Sequence, residues 1–278
     1  MNNLYGRTMI ASLPTHDFKW VDDLDVSQIG SQPEAVLIKN NSEKHQKLKK
    51  ILLTFREKKN YVIHYKTLQL YLSLGIKIKK IHRVLSFKQS EWLKSYIDLN
   101  TEMRTKASND FEKDFYKLMN NSVFGKTMES IRKRCNIKVL NDYDKIEREI
   151  AKPTFKNRTI FTEKMVALHM TKEKLKFDKP IYVGMSILDL SKYFMHDFHY
   201  NVMKKKYGDN IEVCYTDTDS FVYNIKCEDF YKDMELMIEH FYTSNFPEDH
   251  WMPKKNKKVL GKMKEMKIME KLWKNISV

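Results

Sequence analysis

The chain has 278 residues, of which 42% are hydrophobic, enough to bury one large core or two modest ones. Its 51 Lys and Arg against 36 Asp and Glu give a formal charge of +15, which points to a polyanion such as nucleic acid, although a solvated Lys-rich surface has the same composition. Three cysteines without paired spacing argue against a disulfide framework or a zinc site and suit a reducing intracellular compartment (nucleus, cytoplasm or organelle), and no apolar run approaches a membrane span or the core of a signal peptide.

Residues 1–6, Met-Asn-Asn-Leu-Tyr-Gly, open the chain on a motif with no lead-in, which reads as a cut start. Residues 13–20 read as loop and short strand, and residues 22–47 as polar and irregular. Residues 43–58 have the helical spacing of Leu48, Ile51, Leu52 and Phe55. A strand is expected over 61–65, a short helix over 67–74 closed by Gly75, and a further strand over 76–87. Ser90 is a candidate cap for a helix carrying Trp92, Leu93, Tyr96, Ile97 and Met103. Asn109, with Glu112 three residues on, resembles a capping box; the apolar face of its helix is expected to be Phe111, Phe115, Leu118, Met119 and Val123. The opposite face carries Lys113, Lys117 and Asn121, and the two helices make a projecting hairpin. Arg132, Lys133 and Arg134 suit the end of the second helix. Short strands and a charged helix fill 137–179, residues 181–185 read as a strand or lead-in, and Ser186 as the cap of a long helix stopped by Gly208. His196 and His199 sit at i, i+3 on that helix; without a third ligand nearby they read as structural. A further helix is expected from Glu228 to about Tyr242, before a Lys/Met-rich end.

Two stretches carry chemistry. Tyr215-Thr216-Asp217-Thr218-Asp219-Ser220 lies between two runs rich in β-branched and aromatic residues, so it reads as a hairpin turn. Two-residue periodicity would place Asp217 and Asp219 on one side of the chain, where like charges repel unless a cation neutralises them. An ordinary acidic turn has the same spacing. A calcium loop is rejected because Phe221 and Val222 stand where an oxygen ligand and a glycine are needed. A Mg²⁺ site serving phosphate chemistry fits the hard oxygen ligands. The second stretch is Lys117-Leu118-Met119-Asn120-Asn121-Ser122-Val123-Phe124-Gly125. Lys117 and Asn121 share a helix face on which a cation can meet a triphosphate, and Phe124 and Gly125 follow one turn later. A wet face of an amphipathic helix would explain Lys117 alone, but not the whole string.

Together the two stretches resemble the fingers and palm signatures of family B DNA polymerases, and the chain looks like the C-terminal half of a protein-primed, organellar-and-viral (Polinton-like) member. Residues 109–134 resemble the fingers helix, residues 180–225 the palm helix and acidic hairpin, and Asn2 to Gly6 the tail of the first palm motif. The resemblance implies an α+β fold with a partial palm and first insertion in 1–88, fingers in 89–135, a second insertion in 136–180, the palm with its catalytic hairpin in 181–250, and a truncated thumb start in 251–278. It implies that Asp217 and Asp219 are catalytic and hold two Mg²⁺ ions. It also implies that Lys117, with Arg104 or Lys106, meets the triphosphate, that Asn121, Phe124 and Gly125 flank the nascent base pair, and that Tyr5 excludes a 2′-hydroxyl. The partners implied are a DNA primer-template, deoxynucleoside triphosphates and a terminal priming protein, with no membrane. The family's first palm aspartate would fall just before Met1, so this chain is expected to be a fragment and a poor polymerase as written. A non-catalytic nucleic-acid- or nucleotide-binding remnant is the alternative.

Overall fold

The computed structural model describes residues 3–21, 35–37, 58 and 61–265. The helix expected over 43–58 and the end of the chain after Glu265 lie outside the described residues, apart from Lys58. The chain divides into two compact units, one formed by residues 1–124 with 182–278 and the other by 125–181.

In the first unit, α1 (Leu4–Met9) starts where Asn3 turns left-handed (φ 45°) and its Oδ1 accepts from the Gly6 N–H at 3.0 Å. A Cβ on Gly6 would sit 2.6 Å from the Asn3 side chain, so a larger residue would displace that cap. Strand β1 (Leu13–Val21) follows, then β2 (Ala35–Leu37). The strand expected over 61–65 is absent, because Tyr65 opens helix α2 (Tyr65–Ser73). Its cap is His64, whose Nδ1 accepts from the Lys66 N–H and whose own N–H donates to the buried Asp189 carboxylate at 2.7 Å. His64 is wholly buried, and burial, with Lys66 beside it, pushes its pKa down to about 3, so it acts as a neutral cap. Gly75 (φ 92°) follows the helix as expected.

Strand β3 (Val84–Ser90) is shorter than the strand expected over 76–87, since Ile78 and Ile81 instead pack on Ile63 and Leu68. It pairs antiparallel with both β1 and β2, giving the order β1–β3–β2. Ser90 ends this strand and does not cap α3 (Lys94–Lys106), whose first turn follows Leu93 without a side-chain cap. Helix α4 (Asp110–Thr127) does begin with the expected box: the Glu112 N–H donates to Asn109 Oδ1 at 2.8 Å, and the Glu112 carboxylate accepts from the Ser108 N–H at 3.1 Å. The two helices pair through Asn120 with Thr101 and through Tyr96 with the Met119 carbonyl.

The apolar face expected for α4 is wrong in part. Phe111, Phe115 and Leu118 are 79%, 45% and 64% exposed, whereas Val123 and Phe124 pack inward and Asn120 is buried. At about 100° per residue, Phe111 and Leu118 fall on the far side of the helix from Asn120. A helix with one helical neighbour buries one stripe, and here a polar residue lies at its centre. Nor does the 132–134 cluster end α4. The helix stops at Thr127 and Ile131–Lys133 forms a separate 3₁₀ turn, with Arg134 paired bidentately to Glu129 at 2.8 and 2.7 Å.

The second unit is a small antiparallel sheet of β4 (Cys135–Leu140), β5 (Phe155–Thr162) and β6 (Met165–Thr171) in the order β4–β6–β5. Helix α5 (Tyr143–Ile150) is capped by Asp142, and Glu149 on it binds Lys138 of β4 at 2.8 Å. These are the short strands and charged helix that the sequence predicts for this segment.

Helix α6 (Ile181–Asp197) corrects the next two expectations. Residues 181–185 are its first turns and not a strand, and Ser186 lies inside it, donating to the Tyr182 carbonyl at 2.9 Å. Tertiary packing overrides the local β preference, because Val183, Ile187 and Leu190 at helical spacing are all buried. These residues join Met9, Leu13, Leu93 and Ile97 in one core. The helix passes into a π turn (Phe198–Lys204) and α7 (Lys205–Tyr207), then stops at Gly208 (φ 56°). Phe198, Met203 and Tyr207 belong to a second core with Ile211, Met234, Phe241 and Met252. Strands β7 (Ile211–Asp217) and β8 (Ser220–Ile225) form the expected hairpin on that core, followed by α8 (Phe230–Leu236) and a 3₁₀ turn in place of one longer helix. The fold is α+β, with helices and three small antiparallel sheets among the described residues.

The two apolar stripes should respond oppositely to truncation. Ile187→Ala, at a fully buried position, should cost about 2–5 kcal/mol in urea unfolding. Leu118→Ala on the outer face of α4 should stay within about 0.5 kcal/mol of the parent; a loss comparable to that of Ile187→Ala would show that the outer face is buried.

Candidate functional site

The hairpin β7–β8 is not regular. Ile211, Glu212 and Val213 pair with Ile225, Asn224 and Tyr223, but after a bulge Tyr215, Thr216 and Asp217 pair with Val222, Phe221 and Ser220. One extra residue at Cys214 therefore reverses the facing of the rest of β7. Without it, Asp217 would follow Ile211 and Val213 onto the core side. With it, Asp217 shares a side with Ser220 and Val222, opposite the Phe221 and Tyr223 rings that pack on the second core. Both aspartates are exposed at the hairpin tip.

The tip is a two-residue turn, Thr218-Asp219. Thr218 has a positive φ of 34°, costly for a β-branched residue, and its hydroxyl donates to Asp217 Oδ1 at 3.1 Å. The Ser220 hydroxyl donates to the Asp217 carbonyl at 3.0 Å. Asp219 is thus a turn residue and not a strand residue.

Tyr5 on α1 faces these carboxylates. Its phenol is raised above its ordinary pKa, first by burial and then by the charges of Asp219 and Asp217. On its other side Tyr5 stacks on Phe124 of α4, with ring centroids 4.4 Å apart and planes 17° from parallel. The opening motif of the chain, the α4 motif and the acidic hairpin therefore converge on one tyrosine. Lys117, Asn121 and Phe124 fall at i, i+4 and i+7 along α4, on one face, and Lys117 is exposed. Gly125 follows Phe124 in α4, and a Cβ there would meet open space.

The two candidate second cations differ. Lys106 pairs with Glu102 one turn away and is exposed, whereas Arg104 is half-buried at the end of α3. There Lys258 donates to the Arg104 and Thr105 carbonyls at 3.0 and 3.5 Å. Burial lowers the Lys258 pKa, and the charges of Arg104, Lys113 and Lys257 add to the effect. Lys258 is a residue that sequence reasoning missed; a lysine-rich tail gives no sign of which lysine caps a distant helix.

The chemistry of the donor set fits a hard divalent cation. Asp217 and Asp219 offer oxygen ligands at one hairpin tip, and water and phosphate oxygens can complete the shell of Mg²⁺. Among the described residues no third His, Cys, Asp or Glu joins them as a metal cluster. His196 and His199 take structural partners, the Tyr71 and Tyr223 hydroxyls.

The family model for type B DNA polymerases of organellar and viral origin matches residues 1–204. The chain belongs to that family. Among solved structures, this chain is similar in fold to the Phi29 DNA polymerase complexed with primer-template DNA and to the same enzyme complexed with primer-template DNA and incoming nucleotide substrates. Each match has a TM-score of 0.52 and 18% sequence identity, covering 84% of this chain and 39% of the Phi29 chain. The chain thus spans about two fifths of the length of the structures it matches. A search of curated proteins finds no match. No helix among the described residues is long and apolar enough to cross a membrane, and all three cysteines are free and exposed.

The juxtaposition of Tyr5 and the carboxylates can be measured without catalysis. Tyr5 should stay protonated above the ordinary tyrosine range near 10, and Asp219→Asn should lower its pKa by removing the stronger of the two acidic influences. Phenolate absorbance, with Tyr5→Phe to identify the signal, would read this; a Tyr5 pKa unmoved by Asp219→Asn would separate the tyrosine from the hairpin.

Proposed function

We propose that this chain performs template-directed DNA synthesis, adding deoxynucleotides to a primer. The observation that carries the reading is the position of Tyr5 between Phe124 of the helix with the Lys117 motif and the Asp217–Asp219 turn. Polymerases of this family generally use divalent metal ions. Asp217 and Asp219 would hold two Mg²⁺ ions, which when bound supply charge neutralisation at the transferring phosphoryl group and activation of the primer hydroxyl.

The chain's own residues do the rest. Asp217 is held in place by the Thr218 hydroxyl and by its strand, so its carboxylate is fixed before a ligand arrives. Lys117, with Arg104 near the same helical hairpin, would neutralise the triphosphate. Asn121 and Phe124 would border the nascent base pair, with Gly125 leaving the next helical position open. The Tyr5 ring, buttressed by Phe124, would fill the space of a ribose 2′-hydroxyl and so favour deoxynucleotides. A protonated Tyr5 also avoids a third negative charge beside the carboxylates, and its raised phenol keeps it so at neutral pH.

The partners in this reading are a DNA primer-template, deoxynucleoside triphosphates and a terminal priming protein. The segments 1–88, 89–135, 136–180, 181–250 and 251–278 would serve as palm with first insertion, fingers, second insertion, palm with catalytic hairpin and thumb start. Three free, exposed cysteines suit a reducing intracellular setting.

Primer extension with Mg²⁺ or Mn²⁺, beside filter binding of the same primer-template, tests the reading. Extension should be lost on Asp217→Asn by about three powers of ten or more, while DNA binding persists. Lys117→Ala should act mainly on nucleotide KM, and Tyr5→Ala should relax discrimination against ribonucleotides. DNA binding without any extension by the parent would favour a non-catalytic binding protein, and neither activity would overturn the proposal.

A further inference from the structure

The catalytic hairpin has two sides, and only one of them bears Asp217. The other side rests on a feature that sequence periodicity does not show, the π turn that follows α6. π turns are rare and concentrate at functional sites. In this one, His199 projects toward β8 while His196, three residues earlier, reaches the Tyr71 hydroxyl on α2 at 3.0 Å.

His199 makes two contacts of different kinds with β8. Its Nδ1 lies 3.1 Å from the Tyr223 hydroxyl. Its ring also stacks on Tyr223 (5.6 Å, 13°) and lies 5.7 Å from Phe221, and those two rings stack on each other at 5.1 Å. Burial keeps the Tyr223 phenol protonated, so Tyr223 is the donor and His199 the acceptor. Burial, and then Lys204, lower the His199 pKa, which favours the neutral ring that can accept. Phe221 pairs across the ladder with Thr216, the residue before Asp217, and stands two residues after Asp219. Moving the Phe221–Tyr223 pair therefore moves both carboxylates.

We propose that His199 is a positioning residue for catalysis, fixing the depth and tilt of the Asp217–Asp219 tip from behind through its hydrogen bond to Tyr223. The proposal rests on the polymerase reading for its catalytic consequence, but not for its structural one. A phenylalanine at 199 would keep the stack and lose the acceptor; a phenylalanine at 223 would keep the stack and lose the donor. If the bond does the positioning, the two changes remove one interaction and their effects do not add.

The test compares His199→Phe, Tyr223→Phe, the double variant and the conservative His199→Gln, which retains an acceptor. Hydrogen exchange of the β7 and β8 amides is measured, with Mn²⁺ alone as the metal probe and primer extension as the activity. Each single variant should speed hairpin exchange by about tenfold, weaken Mn²⁺ binding several-fold and lower kcat with nucleotide KM unchanged, since a small displacement of reacting groups costs rate rather than affinity. The double variant should match the single ones, and His199→Gln should recover part of the loss. Exchange and Mn²⁺ affinity unchanged in His199→Phe, or effects that add in the double variant, would overturn the proposal. A parent protein that extends no primer would refute the polymerase reading, while hairpin exchange would still decide the role of His199.

Discussion

The site depends on one surplus residue in a short strand. β7 begins with Ile211 buried on the second core, and strict alternation would carry Asp217 to the same side as Ile211 and Val213. A carboxylate on that side would sit with the Phe221 and Tyr223 rings instead of with Ser220 and Val222. The bulge at Cys214 resolves the conflict locally: the first half of the strand is anchored by its apolar residues, and the second half presents its acid to water. The same residue that breaks the pattern makes an anchored hairpin and an exposed carboxylate compatible.

The tip carries backbone strain. Two carboxylates in so tight a turn repel each other, and Thr218 adopts a positive φ between them. Its hydroxyl, turned back to Asp217, is a small compensation. Tyr5 offers a protonated, half-buried ring in place of another charge. Behind the tip stand the Phe221–Tyr223 rings and the helix that carries His199. Strain of this sort persists only where the surroundings over-determine the conformation.

Much of this was legible in the sequence, and the failures share a cause. The hairpin, the capping box at Asn109, the stop at Gly208 and the grouping of Asp217 with Tyr5 rest on local chemistry or short motifs, and local signals survive folding. Residues 181–185 misled because Val, Ile and Tyr favour strands in isolation, whereas the apolar stripe of α6 decided for helix; at 61–65 the same residue types run irregularly into the His64 cap, and only Tyr65 is helical. Phe111, Phe115 and Leu118 misled because an apolar stripe says that a face can be buried, not that a neighbour is there to bury it. The bulge and the π turn left no sign at all. Each adds one residue to a regular element, and a period counted along the chain cannot say where it slips.

The supports of the two halves of the site differ in kind. The carboxylates stand on a hairpin pressed against a core of buried side chains. The Lys117 face stands on a pair of helices whose buried residues are few: Ile97 and Asn100 on α3, Asn120 and Thr127 on α4. Val123, Phe124, Leu93 and Ile97 hold the base of that pair, while its far end, with Phe111 exposed, is tied to the chain beyond α8 by Lys258 at the last carbonyls of α3. Local stability follows buried apolar contact, and both supports are shallow: β7–β8 buries Ile211 and half-buries Phe221, Tyr223 and Ile225. Phe124 lies at the junction and touches Tyr5. Rotation of the pair about that base would swing Lys117, two turns away, through a larger arc than Phe124. In the proposed polymerase, a nucleotide would have to meet the Lys117 face and the carboxylates at once, and the Phe124–Tyr5 stack is what links those two supports.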